Sequence, residues 1–177
     1  MPVSMRAPRG LSRLLRPLRA VIDQVLRAER RRAGEIAVVV SDDAFLRQIN
    51  RDWRGIDRTT DVISFAYDEH EPDAATRPVR GDLLVSLDRV RDQARRHRVT
   101  PGAELARLVV HGTLHLCGHD HAGLAERTRM RAREAAALRR SRTSVRALDY
   151  AMSVRASGPR PGSRPAGRGP RSNRTSR

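Results

Sequence analysis

Hydrophobic positions along this chain recur with two spacings, one typical of helices and one typical of strands. Apolar residues fall three and four positions apart between Pro17 and Arg32, which predicts an amphipathic helix that begins at Pro17. Three short apolar runs predict strands: EIAVVV at 35–40, VISFAY at 62–67 and GDLLVS at 81–86. Further segments with helical spacing predict helices over 43–53, 87–97, 101–117 and 124–140.

Residues that favour helix ends mark several of these boundaries. Ser41 and Asp42 precede the helix that starts at Asp43 and can cap it. Thr100 can cap the next-to-last helix, and Gly118 is suited to end it because glycine readily adopts left-handed backbone conformations. The strands and helices show no regular βαβ alternation. We therefore predict an α+β fold in two layers, a small mixed β-sheet packed by helices.

Charge adds a preference for anionic partners. The 177 residues include 36 Lys+Arg and 20 Asp+Glu, a formal net charge of +16, and every basic residue is arginine. A polyanion such as RNA or an acidic membrane surface fits this charge, although a coding bias toward arginine explains the composition equally well. No apolar run approaches the ~20 residues that a membrane-spanning helix needs.

The C-terminal segment differs in composition from the rest. Residues 157–177 contain mainly Gly, Pro, Ser and Arg without hydrophobic periodicity, and such a segment cannot bury enough apolar surface to offset its ordering entropy. We predict one domain over 1–140 and a basic, disordered tail over 141–177. Two interpretations of the tail stay open, a solvated extension without function and an arm that binds RNA nonspecifically.

Cysteine content and the N-terminus bear on location. Cys117 is the only cysteine, so no internal disulfide can form, which favours a reducing compartment such as the cytoplasm. Residues 1–20 contain arginine and serine but no acidic residue, and this composition resembles a mitochondrial presequence. We expect a cytoplasmic protein, with a mitochondrial location as the alternative.

Four of the six histidines lie within VVHGTLHLCGHDH at 109–121. His111 and His115 are one helical turn apart, so both imidazoles project from the same face of the predicted helix. Gly118 allows the chain to fold back and bring His121 beside them. Three histidines leave one position open on a tetrahedral zinc ion, which is the arrangement of a catalytic site. We predict one Zn²⁺ per chain, on a central helix and the turn that follows it.

Other residues of this stretch are expected to have other roles. His119 is expected to point away from the metal, and Cys117 to be a small buried residue. Asp120 is a candidate for a hydrogen bond to a ligand imidazole. Gly112 stands where zinc peptidases of the His-Glu-x-x-His type carry the glutamate that acts as general base, so the usual peptidase base is absent.

Three sequence blocks together resemble one known family. They are INRDWRGIDRTTDVISF at 49–65, GDLLVS at 81–86 and HGTLHLCGHDH at 111–121, and their order and spacing are similar to those of the YbeY-type endoribonucleases, the bacterial rRNA maturation factors. The resemblance covers roughly residues 35–138. It implies an α+β fold and a single-strand-specific, metal-dependent endoribonuclease that acts in rRNA maturation and ribosome quality control.

Individual residues can be assigned from these blocks. The resemblance implies His111, His115 and His121 as zinc ligands. It also implies Arg54 as the arginine that the family places near the metal, where a guanidinium would stabilise phosphate charge. Arg58 is expected to help hold the phosphate. The implied partners are single-stranded rRNA and the ribosomal subunit or its associated factors, with no membrane partner.

Two other functions remain open, a metzincin-like zinc hydrolase that acts on peptides and a noncatalytic zinc protein bound to the ribosome. Gly112 argues against the peptidase, and it suits an RNase because a glutamate there would place negative charge against an anionic substrate.

The sequence departs from the family pattern at two places. His119 stands where the family more often has tyrosine, and the residues after the third ligand are more neutral than is common. Asp57 and Asp61 are expected to order their loop.

Overall fold

A computed structural model describes residues 3–67, 76–119 and 123–154. Within these ranges the chain forms four strands and six α-helices. The strands are β1 (Val3–Arg6), β2 (Ala33–Ser41), β3 (Val62–Ala66) and β4 (Val79–Ser86). The helices are α1 (Leu15–Ala28), α2 (Asp43–Arg54), α3 (Leu87–His97), α4 (Pro101–Leu116), α5 (Leu124–Arg140) and α6 (Arg142–Ser153). None of the helices in these ranges is both long and apolar enough to cross a membrane.

The four described strands form one sheet with the order β1-β2-β4-β3. β1, β2 and β4 run parallel, whereas β3 runs antiparallel to β4 and forms an edge of the described sheet. In this pairing Ile63 lies opposite Leu84, and Phe65 lies opposite Asp82. The mixed sheet packed by helices confirms the predicted α+β class.

The sheet buries side chains on both faces. Alternate residues of β2 and β4, among them Val38 and Leu83, belong to the main core, which they share with buried residues of α1, α4 and α6. On the opposite face, a smaller cluster joins Leu46 of α2 to Ile63 and Leu84. α4 is the central helix, since it contacts α1, α3, α5 and α6 as well as β3 and β4.

Several predicted helix ends are confirmed. The Asp42 carboxylate accepts a hydrogen bond from the Phe45 amide at 2.9 Å, and the Thr100 hydroxyl accepts one from the Ala103 amide at 3.2 Å. Gly118 has a φ of 90°, which is the left-handed conformation predicted for the end of α4.

The N-terminal part differs from the prediction in three ways. α1 begins at Leu15 rather than at Pro17. α1 ends at Ala28 rather than at Arg32, because Arg30 takes a left-handed φ of 54° and the chain turns into β2. The prediction lacks β1, since only one of its four side chains, Val3, is buried and the alternation is too short to see. Residues 3–20, whose composition resembles a presequence, are part of the fold through β1 and the start of α1.

The structure also differs from the predicted domain end at residue 140. α6 follows directly and packs on α4 and α1, with Leu148 and Ala151 buried in the main core. The part of the predicted tail before residue 155 is therefore a helix of the domain rather than disordered chain. The remainder, 155–177, lies outside the described residues.

Asp149 of α6 explains why this helix docks where it does. Its carboxylate accepts hydrogen bonds from the Gly102 amide at 2.8 Å and from the Thr100 hydroxyl at 2.9 Å. The amides of the first helical turn have no partner within their own helix. α6 therefore completes the N-terminal cap of the central helix.

Candidate metal centre

His111 and His115 face each other across one turn of α4. Their Nε2 atoms are 3.2 Å apart, and their ring centroids are 4.7 Å apart with the planes at 74°. Two imidazole nitrogens bound to one tetrahedral zinc ion at about 2.0–2.1 Å would lie about 3.3 Å apart. The two rings are thus at the separation that a shared metal ion needs.

Glu134 of α5 orients the first of these histidines. Glu134 Oε1 and His111 Nδ1 are 2.5 Å apart, and 16% of the Glu134 side chain is exposed. An ionised carboxylate has no proton to donate, so Nδ1 carries the hydrogen and Nε2 keeps its lone pair on the side that faces His115. Histidines that bind metals through one ring nitrogen commonly donate from the other to a carboxylate in this way.

The sequence-based prediction does not include Glu134. Acidic residues are scarce on α5, where Glu126 accepts a hydrogen bond from the Gly123 amide at 2.6 Å and so has a local role at the helix start. Glu134 is too far from the helix start for such a role. An acidic residue in the middle of an arginine-rich helix is therefore the only feature of the sequence that indicates a contact outside α5. Its partner lies 23 positions away, so only the packing of α5 on α4 reveals the contact.

His121, the third predicted ligand, and Asp120 lie outside the described residues. Within the described ranges, no three His, Cys, Asp or Glu side chains form a group that could hold a metal ion. The set of three histidine ligands therefore stays a prediction, of which the structure describes two members.

His119 has a partner of its own. Its Nε2 atom is 2.8 Å from Glu29 Oε2, and Arg133 donates to both carboxylate oxygens of Glu29 at 2.7 and 2.9 Å. Glu29 directly follows α1 and Arg133 belongs to α5, so these contacts tie the end of α4 to two other helices. They supply a structural reason for His119 to be present and support its expected separation from the metal.

Cys117 lies beside the predicted ligands and is half-buried against the main core. Burial raises the pKa of the Cys117 thiol to about 12. Both observations agree with the packing role expected for this small residue.

Gly112 faces the sheet. A Cβ atom at this position would overlap the Leu83 side chain and lie 3.3 Å from Val62 Cγ2. A larger residue at this position would force the buried Leu83 side chain to move, so the close approach of α4 to β3 and β4 favours glycine. The reason for Gly112 is steric, in addition to the charge argument made from the sequence.

The structure places Arg54 and Arg58 around the end of α2. Arg54 is its last residue, Gly55 ends it with a φ of 69°, and both arginine side chains are exposed. The buried Asn50 side chain donates to the Arg58 carbonyl at 2.9 Å, which anchors the loop backbone. Within the described residues, no hydrogen bond or ion pair joins Arg54 or Arg58 to either histidine of the candidate metal centre.

The two loop aspartates have ordering roles, as predicted. Asp61 accepts hydrogen bonds from the Val62 amide at 2.9 Å and from Gln93 Nε2 at 3.0 Å. Asp57 accepts from Arg47 Nε and Nη2 at 2.7 and 3.0 Å. The hydrogen bond from Arg47 lowers the pKa of Asp57 below its ordinary value. Both contacts fix the loop that carries Arg58.

A chain of polar contacts links this loop to α4. Arg107 Nη2 donates to Glu104 Oε1 at 2.6 Å and to Gln93 Oε1 at 3.1 Å, and Gln93 in turn reaches Asp61. The Glu104 side chain is only 2% exposed, so its charge depends on Arg107 for compensation. The helix that carries the two histidines and the loop that carries Arg58 are therefore held by one network, which the sequence does not reveal.

Comparison with known proteins connects this arrangement to one family. The family model described as Endoribonuclease YbeY matches residues 10–142, a wider span than the sequence blocks indicate. A protein named Endoribonuclease YbeY from Chloroflexus aggregans is 46% identical over 120 residues, which cover 64% of this chain and 78% of that protein. One of the same name from Anaeromyxobacter sp. is 41% identical over 133 residues, 75% of this chain and 67% of that protein.

The fold also has a solved counterpart. The solution structure of TM1509 from Thermotoga maritima matches with a TM-score of 0.62 over 88% of this chain and 99% of that chain, at 22% sequence identity. At this identity the likeness shows the shared fold alone. Because the family model spans well over half of the sequence, the chain belongs to the Endoribonuclease YbeY family.

Proposed function

We propose that this chain is a metal-dependent endoribonuclease that cleaves single-stranded RNA and acts in rRNA maturation and ribosome quality control. One structural observation carries the proposal, the facing Nε2 atoms of His111 and His115 at 3.2 Å. Family membership adds support, since relatives at 46% and 41% identity bear the name of an endoribonuclease.

We assign one Zn²⁺ ion to His111, His115 and His121. When bound, zinc acts as a Lewis acid and lowers the pKa of a water ligand toward ~7. The protein's own contribution is orientation. Glu134 keeps the His111 proton on Nδ1, so Nε2 is available to a cation, and the tightly packed α4 holds the two imidazoles at a fixed separation.

We assign Arg54 to charge stabilisation and Arg58 to substrate binding. Both side chains are exposed, and neither has an ionic partner among the described residues, so both charges are available to an anion. A guanidinium presents two parallel N–H groups to phosphate oxygens, and a cation fixed before the reaction stabilises charge that develops in the transition state. The network through Asp61 and Gln93 keeps the loop in place for this role.

Gly112 favours RNA over a peptide as the substrate. In the His-Glu-x-x-His peptidases, the residue after the first histidine supplies the general base. Here the position is glycine, and a side chain added to it would start against Leu83 in the core. The metzincin-like alternative therefore lacks its base at the position of α4 where those peptidases carry it.

We place the protein in the cytoplasm, with rRNA and the ribosomal subunit or its associated factors as partners. The net charge of +16 suits a polyanionic partner. The bacterial origin of the relatives is consistent with a role in bacterial rRNA maturation.

Metal analysis and cleavage assays on one preparation test the proposal. We expect about one zinc ion per chain, cleavage of single-stranded RNA that stops with chelator and returns with zinc, and intact casein. His111→Ala, His115→Ala and His121→Ala should each lose metal and activity, whereas His119→Ala should keep both. Metal loss in His119→Ala but not in His121→Ala would reverse the ligand assignment, and a zinc-loaded chain that leaves RNA intact would refute the function.

The role of Arg54 has a separate test. Arg54→Ala should keep its zinc and its melting temperature, while single-turnover RNA cleavage slows by about 10²–10³-fold, the usual scale for loss of one preorganised stabilising group. Arg54→Lys should recover only part of the rate, because an ammonium lacks the planar two-pronged contact.

Arg51→Ala is the matched control for Arg54→Ala. Arg51 is also an exposed arginine of α2, but it pairs with Asp52 at 3.1 Å. We expect this variant to cleave at the wild-type rate. If Arg54 only pins the loop, Arg54→Ala would instead lose melting temperature, and its activity would fall in step with the folded fraction.

A further inference from the structure

Three of the chain's five aromatic residues form one group, which we call the aromatic strip: Trp53, Phe65 and Tyr67. Alternate residues of a strand point to the same side, so Ile63, Phe65 and Tyr67 share one face of the sheet. α2 covers Ile63 in the smaller core cluster, whereas Tyr67 follows the end of β3 and is 50% exposed. The strip therefore continues the covered face of β3 into solvent.

Trp53 stands at the border between the covered and the open part of this face. It lies in the last turn of α2 and is 74% exposed. Its ring centroid is 6.3 Å from that of Phe65, with the planes at 56°. A tryptophan side chain offers a large apolar area to a core, yet most of this one remains in contact with water. Its exposure suggests a partner outside the chain.

The Tyr67 ring is held in a defined position. Its hydroxyl forms a hydrogen bond with Asp82, which raises the pKa of Tyr67. The Arg80 guanidinium lies 6.0 Å from the ring centroid, and the Tyr67 amide donates to the Arg80 carbonyl at 3.2 Å. A ring fixed in this way loses little conformational entropy when a flat ligand stacks on it.

Exposed arginines follow the strip closely in sequence, and one contacts it directly. Arg54 follows Trp53 directly, Arg58 lies in the next loop, and both are exposed without an ionic partner in the described ranges. At the other end, Arg80 lies beside Tyr67 and 3.9 Å from Glu35. The ligand that fits such a surface combines flat apolar rings with a repeated negative charge.

We propose that the aromatic strip stacks consecutive bases of single-stranded RNA, while Arg54 and Arg58 contact the phosphates between them. The inference rests on the proposed function and deepens it, since it assigns a base-binding surface outside the metal centre. Sheet faces with aromatic side chains and nearby arginines bind single strands in this manner, largely without regard to sequence. Paired bases cannot stack on protein rings, so the strip would also disfavour duplex RNA.

Trp53 is the only tryptophan, so its fluorescence reports directly on the strip. The zinc-loaded full chain is titrated with a ten-nucleotide 2′-O-methyl oligoadenylate, in which the 2′-hydroxyl is blocked. We expect saturable quenching of the tryptophan emission. An abasic strand of equal length and charge should quench far less, because it keeps the phosphates but has no rings to stack.

Substitutions of Trp53 distinguish base stacking from simple apolar packing over Phe65. Trp53→Leu retains an apolar cover over Phe65 but cannot stack, and we expect it to weaken binding of a labelled oligoadenylate by about 5- to 100-fold, the scale of one lost base–aromatic contact. Trp53→Phe should weaken it less. Tyr150→Leu is the matched control, since Tyr150 is 70% exposed on α6 and should bind as the wild type does. Zinc content and melting temperature should stay unchanged throughout.

The outcomes distinguish a failure of the base-binding proposal from a failure of the proposed function. If the wild type cleaves RNA, but Trp53→Leu binds equally well or the abasic strand quenches equally, the strip is not a base-binding surface and the proposed function stands. Tyr67→Leu supplies the same comparison should Trp53→Leu fold poorly. If the wild type neither binds nor cleaves RNA, both proposals fail.

Discussion

Glu134 contacts Nδ1 of His111 and favours the tautomer in which the proton is on that nitrogen. Sequence spacing correctly predicts that His111 and His115 share one face of a helix, because helical periodicity alone determines it. Spacing cannot predict the tautomer, which depends on a carboxylate from another helix, 2.5 Å from Nδ1. The shared helix face of the two histidines was predictable from the sequence, whereas the carboxylate that contacts His111 was not.

This contact gives a prediction at the residue scale. Glu134→Ala removes the acceptor for the Nδ1 proton, so the ring can rotate and adopt either tautomer. Loss of such a partner typically weakens metal binding by about 10- to 100-fold. Zinc affinity, measured by competition with a chromophoric chelator, should fall accordingly, whereas Arg131→Ala on the exposed side of α5 should leave it unchanged. Wild-type affinity in Glu134→Ala would show that the contact has no role in metal binding.

At the element scale, α4 serves the core and the candidate site together. Its N-terminal cap by Thr100 and its end at Gly118 follow from local rules, and the sequence predicts both. β1 was not predicted because its stability comes from a partner strand far along the chain, whereas α6 has apolar residues at helical spacing but was assigned to the tail by its charge. β1 pairs with β2, and Asp149 of α6 caps α4, and neither contact leaves a local pattern.

The packing of α4 on the sheet predicts that a larger residue at position 112 lowers the stability of the protein. Gly112→Ala introduces a methyl group that overlaps Leu83, and overpacking of this kind costs about 1–3 kcal/mol of unfolding free energy. The better helix propensity of alanine offsets up to about 1 kcal/mol of that cost. Urea denaturation should therefore show a net loss in Gly112→Ala.

A double-mutant cycle identifies the contact responsible. Leu83→Ala alone should cost roughly 2–5 kcal/mol through its cavity, because Leu83 is fully buried. In the double variant the added methyl enters the vacated space, so the combined loss should be smaller than the sum by at least about 0.5 kcal/mol. Strict additivity would mean that Gly112 is required for some reason other than its contact with Leu83.

On the scale of the whole molecule, charge is distributed unevenly along the chain. Residues 1–154 hold 29 arginines and 20 acids, a net charge of +9, whereas 155–177 hold seven arginines and no acid. Composition therefore correctly singles out a basic C-terminal segment. The charge count does not consider α6, whose apolar residues Val145, Leu148 and Ala151 have helical spacing and continue the described fold beyond residue 140.

Two truncations separate these parts. Deletion of 141–177 removes Leu148 from the main core and the Asp149 carboxylate from the cap of α4, so we expect a loss of roughly 2–5 kcal/mol or more and no stable metal site. Deletion of 155–177 should leave the melting temperature and zinc content unchanged. If the chain without residues 141–177 were as stable as the full chain, α6 would be dispensable for the fold.

The shorter truncation also tests whether the basic segment binds RNA. Each arginine that neutralises a phosphate of a single strand contributes about 0.7 to the slope of log affinity against log salt, so seven such arginines would contribute about 5. Deletion of 155–177 should flatten the slope in proportion to the number of phosphates that these arginines neutralise. A full-length variant with all seven arginines replaced by glutamine is the matched control, because it keeps the length and removes the charge. Equal flattening in both variants would assign the effect to charge, whereas a slope unchanged in both would leave RNA binding to residues 1–154, where Trp53 and Arg54 lie.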